Sequence, residues 1–353
     1  MNRLVTALAV APLALTLHVA PAGADSSPDR ASDRAAVPRQ VLDVSDLDTG
    51  AAPRMAWAER TGRRLTIHGA DGTTPAAGNV RAFAPMGSGY VVQTGGARPP
   101  RVRWIAADGT AGPREWRSGY GLAVSPGGGA VAFTVRRGGV RVIDSEGDRV
   151  LRMPAVPGVR GLNSPAGVSG DDCREDATSN GCSVAVNSTR RPVSWYTSSH
   201  GLVDRTPFRS FSTGRGRWTG GVTSVSDTGS CSAMRGGLRV RWTTCRNQLS
   251  VISPDTLHLV GTPAYGDGFG PTRLDLLDLR TGDRTRSWTA DRRGRSATYF
   301  DQVWEDADHL LVVTYQAGEW AIVRLGTDGS MEYAVPPRAD GGDQEKPLYL
   351  RKG

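Results

Sequence analysis

The residues able to do chemistry in this chain are scattered. Asp267, Asp301, Glu305 and His309 lie within one C-terminal stretch and are of the types that exchange protons in general acid–base catalysis. Carried by separate strands to a common axis, they would suit a lyase, a lactonase or a glycan hydrolase. No compact catalytic signature accompanies them, since His-Glu-x-x-His, Gly-x-Ser-x-Gly, Ser-x-x-Lys and a phosphate loop are all missing. The sequence therefore assigns no catalytic residue, no metal ligand and no cofactor. His68, His200, His258 and His309 never fall at ligand spacing. The loop Asp171-Asp172-Cys173-Arg174-Glu175-Asp176 gathers carboxylates that suit a hard cation, but it lacks the alternation of an EF-hand and carries Arg174 within it. A solvated loop closed by a disulfide is the expected reading.

A second kind of chemistry is recognition by charge. Arg190, Arg191, Trp195, Arg215, Arg217 and Trp218 mix cations with aromatics and form the candidate binding patch, with Arg209 beside it and Arg292, Arg293 and Arg295 further along. Such a surface suits a protein, a glycan or an anionic cell-wall polymer, and in an exported chain nucleic acid is the least expected partner. Composition weakens the signal. Of 43 basic residues only Lys346 and Lys352 are lysines, a bias that points to GC-rich coding before it points to a binding surface, and the net charge is +8. Arginines on exposed faces with tryptophans in the core would give the same pattern.

Compartment is read from the N-terminus. Arg3, the apolar run Leu4 to Ala20 and the small-residue site Pro21-Ala22-Gly23-Ala24 predict a signal peptide over residues 1–24, cleaved between Ala24 and Asp25. At this length, and interrupted by Pro12 and His18, the run is marginal as a membrane anchor, and no later segment is apolar enough to span a bilayer. An extracytoplasmic monomer is expected. The four cysteines, Cys173, Cys182, Cys231 and Cys245, then predict disulfides, for which three pairings are possible. The local pairing is favoured: Gly236-Gly237 lies near the midpoint between Cys231 and Cys245, as in a hairpin whose strands set the two thiols opposite each other. Each bridge would contribute about 3 kcal/mol.

The elements that must position these residues are strands. Gly and Pro, 45 and 22 residues, are too frequent for a helical array, and short β-prone runs such as Val140–Ile143, Ser183–Val186, Leu238–Trp242 and Leu310–Tyr315 alternate with turn signals. Only Tyr299, Phe300, Val303, Trp304, Ala307, Leu310 and Leu311 fall at helical spacing. Strand, turn, strand is preferred there because Glu305–Asp308 reads as a turn. Residues 25–38 read as a flexible leader and 39–353 as one domain.

Turns recur. Gly69–Gly72, Ala107–Gly109, Asp144–Gly147, Thr281–Asp283 and Gly326–Gly329 mark the turn after the third strand of successive units, with two longer units ending near Ser199–Gly201 and Arg246-Asn247. An earlier turn is seen in Ser125-Pro-Gly-Gly128 and Ser253-Pro-Asp-Thr256, with Ser226-Asp-Thr-Gly229 as a degenerate copy and Trp304–His309 in the same place in the last unit. These segments resemble the Ser-Pro-Asp-Gly repeat of TolB-type and WD-like propellers. The resemblance implies an all-β fold, a single β-propeller of seven blades with six as the alternative, each a four-stranded antiparallel sheet, in an extracytoplasmic setting. It carries over no partner, and TolB's separate α/β domain has no counterpart in the short segment before Met55. Val41-Leu42 or Leu348–Leu350 would complete the last blade and so remove a sheet edge. The functional expectation is a non-catalytic binding or scaffold protein acting through loops on one face, and the alternative is the axial enzyme described above.

Overall fold

The computed structural model describes residues 37–95, 99–135, 139–144, 150–153, 163–173, 181–188, 194–197, 204–266, 269–290, 297–339 and 346–352. Among them the chain is strand and turn apart from a 3-10 turn at Val44–Asp46. The strands form seven sheets. Sheet 1 holds Trp57–Thr61, Arg64–Gly69 and Gly72–Ala76, with Leu348–Leu350 as its first strand. Sheet 2 runs Val80–Met86, Gly89–Thr94, Arg101–Ala106, Ala111–Arg117, and sheet 3 runs Ala123–Val124, Ala130–Val135, Gly139–Asp144, Val150–Arg152. Sheet 4 runs Asn163–Ser169, Ser183–Ser188, Ser194–Thr197, Asp204–Arg205, and sheet 5 runs Ser210–Arg215, Trp218–Ser226, Gly229–Gly236, Arg239–Thr244. Sheet 6 runs Asn247–Ile252, His258–Pro263, Arg273–Asp278, Arg284–Ala290, and sheet 7 runs Thr298–Trp304, His309–Gln316, Glu319–Gly326, Met331–Ala339.

What joins the sheets is apolar burial on both faces of each. In sheet 7, Leu310 and Val312 pack with Leu274 and Trp288 of sheet 6, whereas Leu311 and Val313 pack with Leu348 and Leu350 of sheet 1. Side chains alternate sides along a strand, so the unbroken run Leu310-Leu-Val-Val313 serves two neighbours at once. The same arrangement joins sheet 1 to 2 through Ile67 and Phe83, 2 to 3 through Ala84 and Phe133, and 3 to 4 through Val142 and Val184. Ala185 and Phe208 join sheets 4 and 5, and Trp218 and Leu259 join sheets 5 and 6. The set of interfaces closes on itself, and from sheet 3 round to sheet 1 the first strands of neighbouring sheets touch around the centre. This is an all-β β-propeller.

Both ends of the domain seal the ring. Leu348–Leu350 pairs antiparallel with Trp57–Thr61, so it, and not Val41-Leu42, supplies the missing first strand. Arg39–Leu42 instead adds a fifth, parallel strand to sheet 6, beside Arg284–Ala290. Pro38, placed in the leader by the sequence, already accepts the Ser287 amide at 3.1 Å. Between them, Gly50 donates to the Tyr333 carbonyl at 2.9 Å on the last strand of sheet 7.

The turns explain the repeat. In Ser125–Ala130 the Ser125 hydroxyl oxygen accepts the Ala130 amide at 2.9 Å, and in Ser253–His258 the Ser253 oxygen accepts the His258 amide at 2.9 Å. Each turn needs a left-handed residue in fourth place, Gly128 at φ 78° and Thr256 at φ 60°. The stretch Tyr299 to Leu311 is strand, turn, strand. Two phase assignments are corrected. Ser226–Gly229 is the second-to-third turn of sheet 5, because Gly216-Arg217 makes the first, and Arg246-Asn247 is the passage between sheets 5 and 6, the third-to-fourth turn of sheet 5 being Gly237-Leu238. Asp144–Gly147 and Ser199–Gly201 lie largely outside the described residues.

Cys173 is bonded to Cys182 and Cys231 to Cys245. The second bridge crosses the hairpin of sheet 5, where Ser232 faces Thr244 and the two cysteines are the next pair along. The signal segment, with Ala24 and Asp25, lies outside the described residues.

Thr256 is β-branched and sits at φ 60°, a region that favours glycine. Thr256→Gly is expected to stabilise the protein by about 1 kcal/mol, read as a shifted urea midpoint at unchanged slope.

Candidate functional site

Successive strands reverse direction, so the first-to-second and third-to-fourth turns of every sheet share one end of the ring. Polar groups that the core does not consume collect at this mouth. Arg215 ends the first strand of sheet 5, Asp171 follows the first strand of sheet 4, Asp255 that of sheet 6 and Arg351 that of sheet 1. Burial lowers the pKa of Arg215, and the charges of Asp171 and Asp255 act against that. Arg351 is lowered by burial and then by the charge of Arg215, so two guanidiniums stand within electrostatic reach of each other at the mouth.

The carboxylates are held by the turns. Asp171 accepts the Gly127 amide at 2.8 Å, and a Cβ on Gly127 or Gly129 would come within 2.6 Å of Asp171 atoms. That contact accounts for glycine where the repeat has Asp: the neighbouring sheet delivers the carboxylate instead. Asp255 takes the Ser253 hydroxyl and the Leu257 amide at 3.0 Å.

A cavity of about 310 Å³ opens at the same end between sheets 1 and 2. Its wall includes Arg54, the turn Gly69–Thr74 with Asp71, the turn Gly87–Tyr90, and Arg351. The Tyr90 hydroxyl occupies the place that a side chain on Gly69 would take. Burial and then the charge of Asp71 raise the pKa of Tyr90, which keeps the phenol protonated.

The sequence-derived acids and bases are engaged elsewhere. Asp301, on the first strand of sheet 7, takes Lys346 at 2.7 Å and the Leu350 amide at 3.2 Å, with Lys352 at 4.0 Å. Burial alone would raise its pKa, and Lys352, Lys346 and the Leu350 amide outweigh that and lower it. Glu305, its side chain fully buried, binds Arg324 at 2.7 and 3.2 Å and accepts the Arg54 amide at 2.6 Å. Arg324 in turn donates to the carbonyls of Ala51 and Ala52 and pairs with Glu332. His309 contacts Asp306 at 2.9 Å. Partial burial works against ionisation of Asp306, but the Asp308 amide and the ring and amide of His309 hold its pKa down to about 2. Asp267 and His200 lie outside the described residues. His68 stacks on Trp57 with ring centroids 4.0 Å apart.

Of the predicted binding patch, Arg215, Arg217 and Trp218 meet at the first turn of sheet 5, where Arg215 pairs with Trp218 across the hairpin. Trp218 is buried between sheets 5 and 6 with the Arg217 guanidinium 5.6 Å from its ring centre, so it is a core residue and not a stacking platform. Arg215 and Arg217, beside that turn, lie at the mouth end of the ring. Arg190 and Arg191 lie outside the described residues, as does the side chain of Trp195 on the third strand of sheet 4. Among the described residues no cluster of His, Cys, Asp and Glu is arranged to hold a metal ion. Sequence reasoning missed Arg351, Arg54, Asp71 and Tyr90. Their one linear signal is position, each beside a turn or a strand end on the same side of the ring.

Glu305→Ala is expected to cost about 2–3 kcal/mol in denaturant unfolding, because it leaves the buried Arg324 with only the more exposed Glu332 as counter-charge; a carboxylate kept for catalysis would leave stability unchanged or raise it. The depressed pKa of Asp306 means that its contribution is present at neutral pH and is lost as the pH falls from about 4 towards about 2. Asp306→Asn should therefore flatten the acid limb of the stability profile in that window, measured by circular dichroism.

No protein family profile matches the chain, and no curated protein is similar to it in sequence. Solved structures do match it. One is dihydro-heme d1 dehydrogenase NirN in complex with DHE, 12% identical, covering 82% of this chain and 75% of that one with a TM-score of 0.46.

Proposed function

We propose that this chain is an exported propeller of seven blades, one per sheet, of the TolB-type repeat class, and that it binds a partner at the mouth without transforming it. The observation that carries the reading is how polar groups are distributed. Asp301, Glu305 and His309 are committed to contacts within the protein, whereas Arg215 and Arg351 hold guanidiniums at the open end with Asp171 and Asp255 around them. Such a mouth favours an anionic or mixed-charge partner, as a protein, a glycan or a cell-wall polymer would offer. Two disulfides are compatible with an oxidising compartment, and no helix of the described residues is long and apolar enough to cross a membrane.

The test is capture from cell-envelope fractions and spent medium by the immobilised protein. The wild type should retain a partner, Arg215→Ala should lose most of it, and Arg114→Ala, on the exposed last strand of sheet 2, should behave as the wild type. Equal capture by both variants, or turnover of an offered polysaccharide or lactone by the wild type, would overturn the reading. Release by high salt would identify the contact as electrostatic.

A further inference from the structure

Arg351 is the one guanidinium at the mouth whose surroundings call for something more. It is partly buried, it lines the cavity between sheets 1 and 2, and its Nε is shut away from solvent with no hydrogen-bond partner among the described residues. Among the described residues no carboxylate pairs with it as Glu305 pairs with Arg324, and its charged neighbour Arg215 is of the same sign. A desolvated cation without a counter-charge is costly, and an anion delivered to it recovers that cost. Arg54, on the same wall, is already paired with Asp306 and so does not compete for the anion.

The other polar groups of the wall define the rest of the ligand. Asp71 is an acceptor with negative charge, and the Tyr90 hydroxyl remains a donor. A dianion such as phosphate would be repelled by Asp71. A carboxylate would take the side-on fork of Arg351 while hydroxyl groups on the same molecule donated to Asp71 and accepted from Tyr90. The lining includes glycines at 69, 72, 87 and 89, and the volume of about 310 Å³ falls at the small end of ligand pockets (~300–1,000 Å³). We infer that this cavity binds the carboxylate of a small hydroxylated acid of the sugar-acid type on Arg351, with Asp71 and Tyr90 reading its hydroxyls. This rests on the mouth being a binding face and names what one part of it takes. A free acid and the same acid within a polymer share this chemistry.

Titration calorimetry on the whole protein with glucuronate, glucose, inorganic phosphate and a glucuronate-containing polymer tests it. Glucuronate should bind, with glucose and phosphate weaker by roughly tenfold or more, and Arg351→Gln should weaken glucuronate by roughly 10- to 100-fold. Polymer binding tighter than the monomer assigns the source to a polymer, and equal binding assigns it to the free acid. Without ligand, Arg351→Gln should melt no lower than the wild type, because a buried unpaired charge is removed; a clear fall would mark Arg351 as structural and overturn the inference. Tyr90→Phe, which leaves the ring seal untouched, should weaken glucuronate several-fold. Failure of glucuronate to bind the wild type, equal binding of glucose, or unchanged affinity in Arg351→Gln would each overturn the inference. The Arg215→Ala capture experiment reads a different side chain, so either reading can fail alone.

Discussion

A ring of sheets has one place where it can part, and here Asp301 stands at it. The first strand of sheet 1 comes from the far end of the chain and is only three residues long, so its backbone pairing with Trp57–Thr61 is slight. Asp301, on the neighbouring sheet, takes the Leu350 amide that faces the axis and binds the ammonium groups on either side of the strand. Those are Lys346 and Lys352, the only lysines among the 43 basic residues. A flexible stem with a compact charge can reach one carboxylate from both flanks, which the planar fork of arginine does less easily. Leu348 and Leu350 then enter the apolar layer that holds sheet 7 to sheet 1.

A second lock lies at the same joint. Arg324 gathers Glu305, Glu332 and the carbonyls of Ala51 and Ala52, fastening the segment that leads into sheet 1 across the face of sheet 7. Ionic groups buried in this way do little for net stability compared with apolar packing, but they admit only one partner arrangement and so define how the ends meet. The mouth differs: Arg215 stands in the field of Asp171 and Asp255 without a direct ion pair, and Arg351 has no paired carboxylate, among the described residues. Fold and recognition thus draw on the same residue types, separated by whether a direct ion pair is built in.

Much of this was legible in the sequence where one turn decides one conformation. Ser125 and Ser253 could be read because a hydroxyl closing a turn onto an amide five residues on is a local event. The Cys231–Cys245 bridge was legible for the same reason, since Gly237 turns the hairpin between them. Sheet 5 was phased wrongly because its first turn is the two-residue Gly216-Arg217, and the more conspicuous Ser-Asp-Thr-Gly belongs to the next turn. Trp218 looked like part of a surface because sequence does not say which side of a strand meets a neighbour. The site was illegible for a stronger reason. Arg351 comes to line one cavity with Asp71 and Tyr90 only once Leu348–Leu350 has joined the first sheet, a relation that no local pattern encodes.

The seal between sheets 7 and 1 brings together positions some 250 to 290 residues apart, such as Arg54 with Glu305 and Arg60 with Tyr349. Contacts of that span are the slowest to form, because nearly the whole chain must be ordered before they repay the closure entropy. The other sheets can build as hairpins in sequence order, each waiting only for its neighbour. During synthesis the molecule therefore passes through an open arc with an unpaired strand at Trp57–Thr61 and an uncovered apolar face on sheet 7, a state exposed to strand capture by other chains. The pairing of Leu348–Leu350 ends that vulnerability, and in the same movement it brings Arg351 to the mouth.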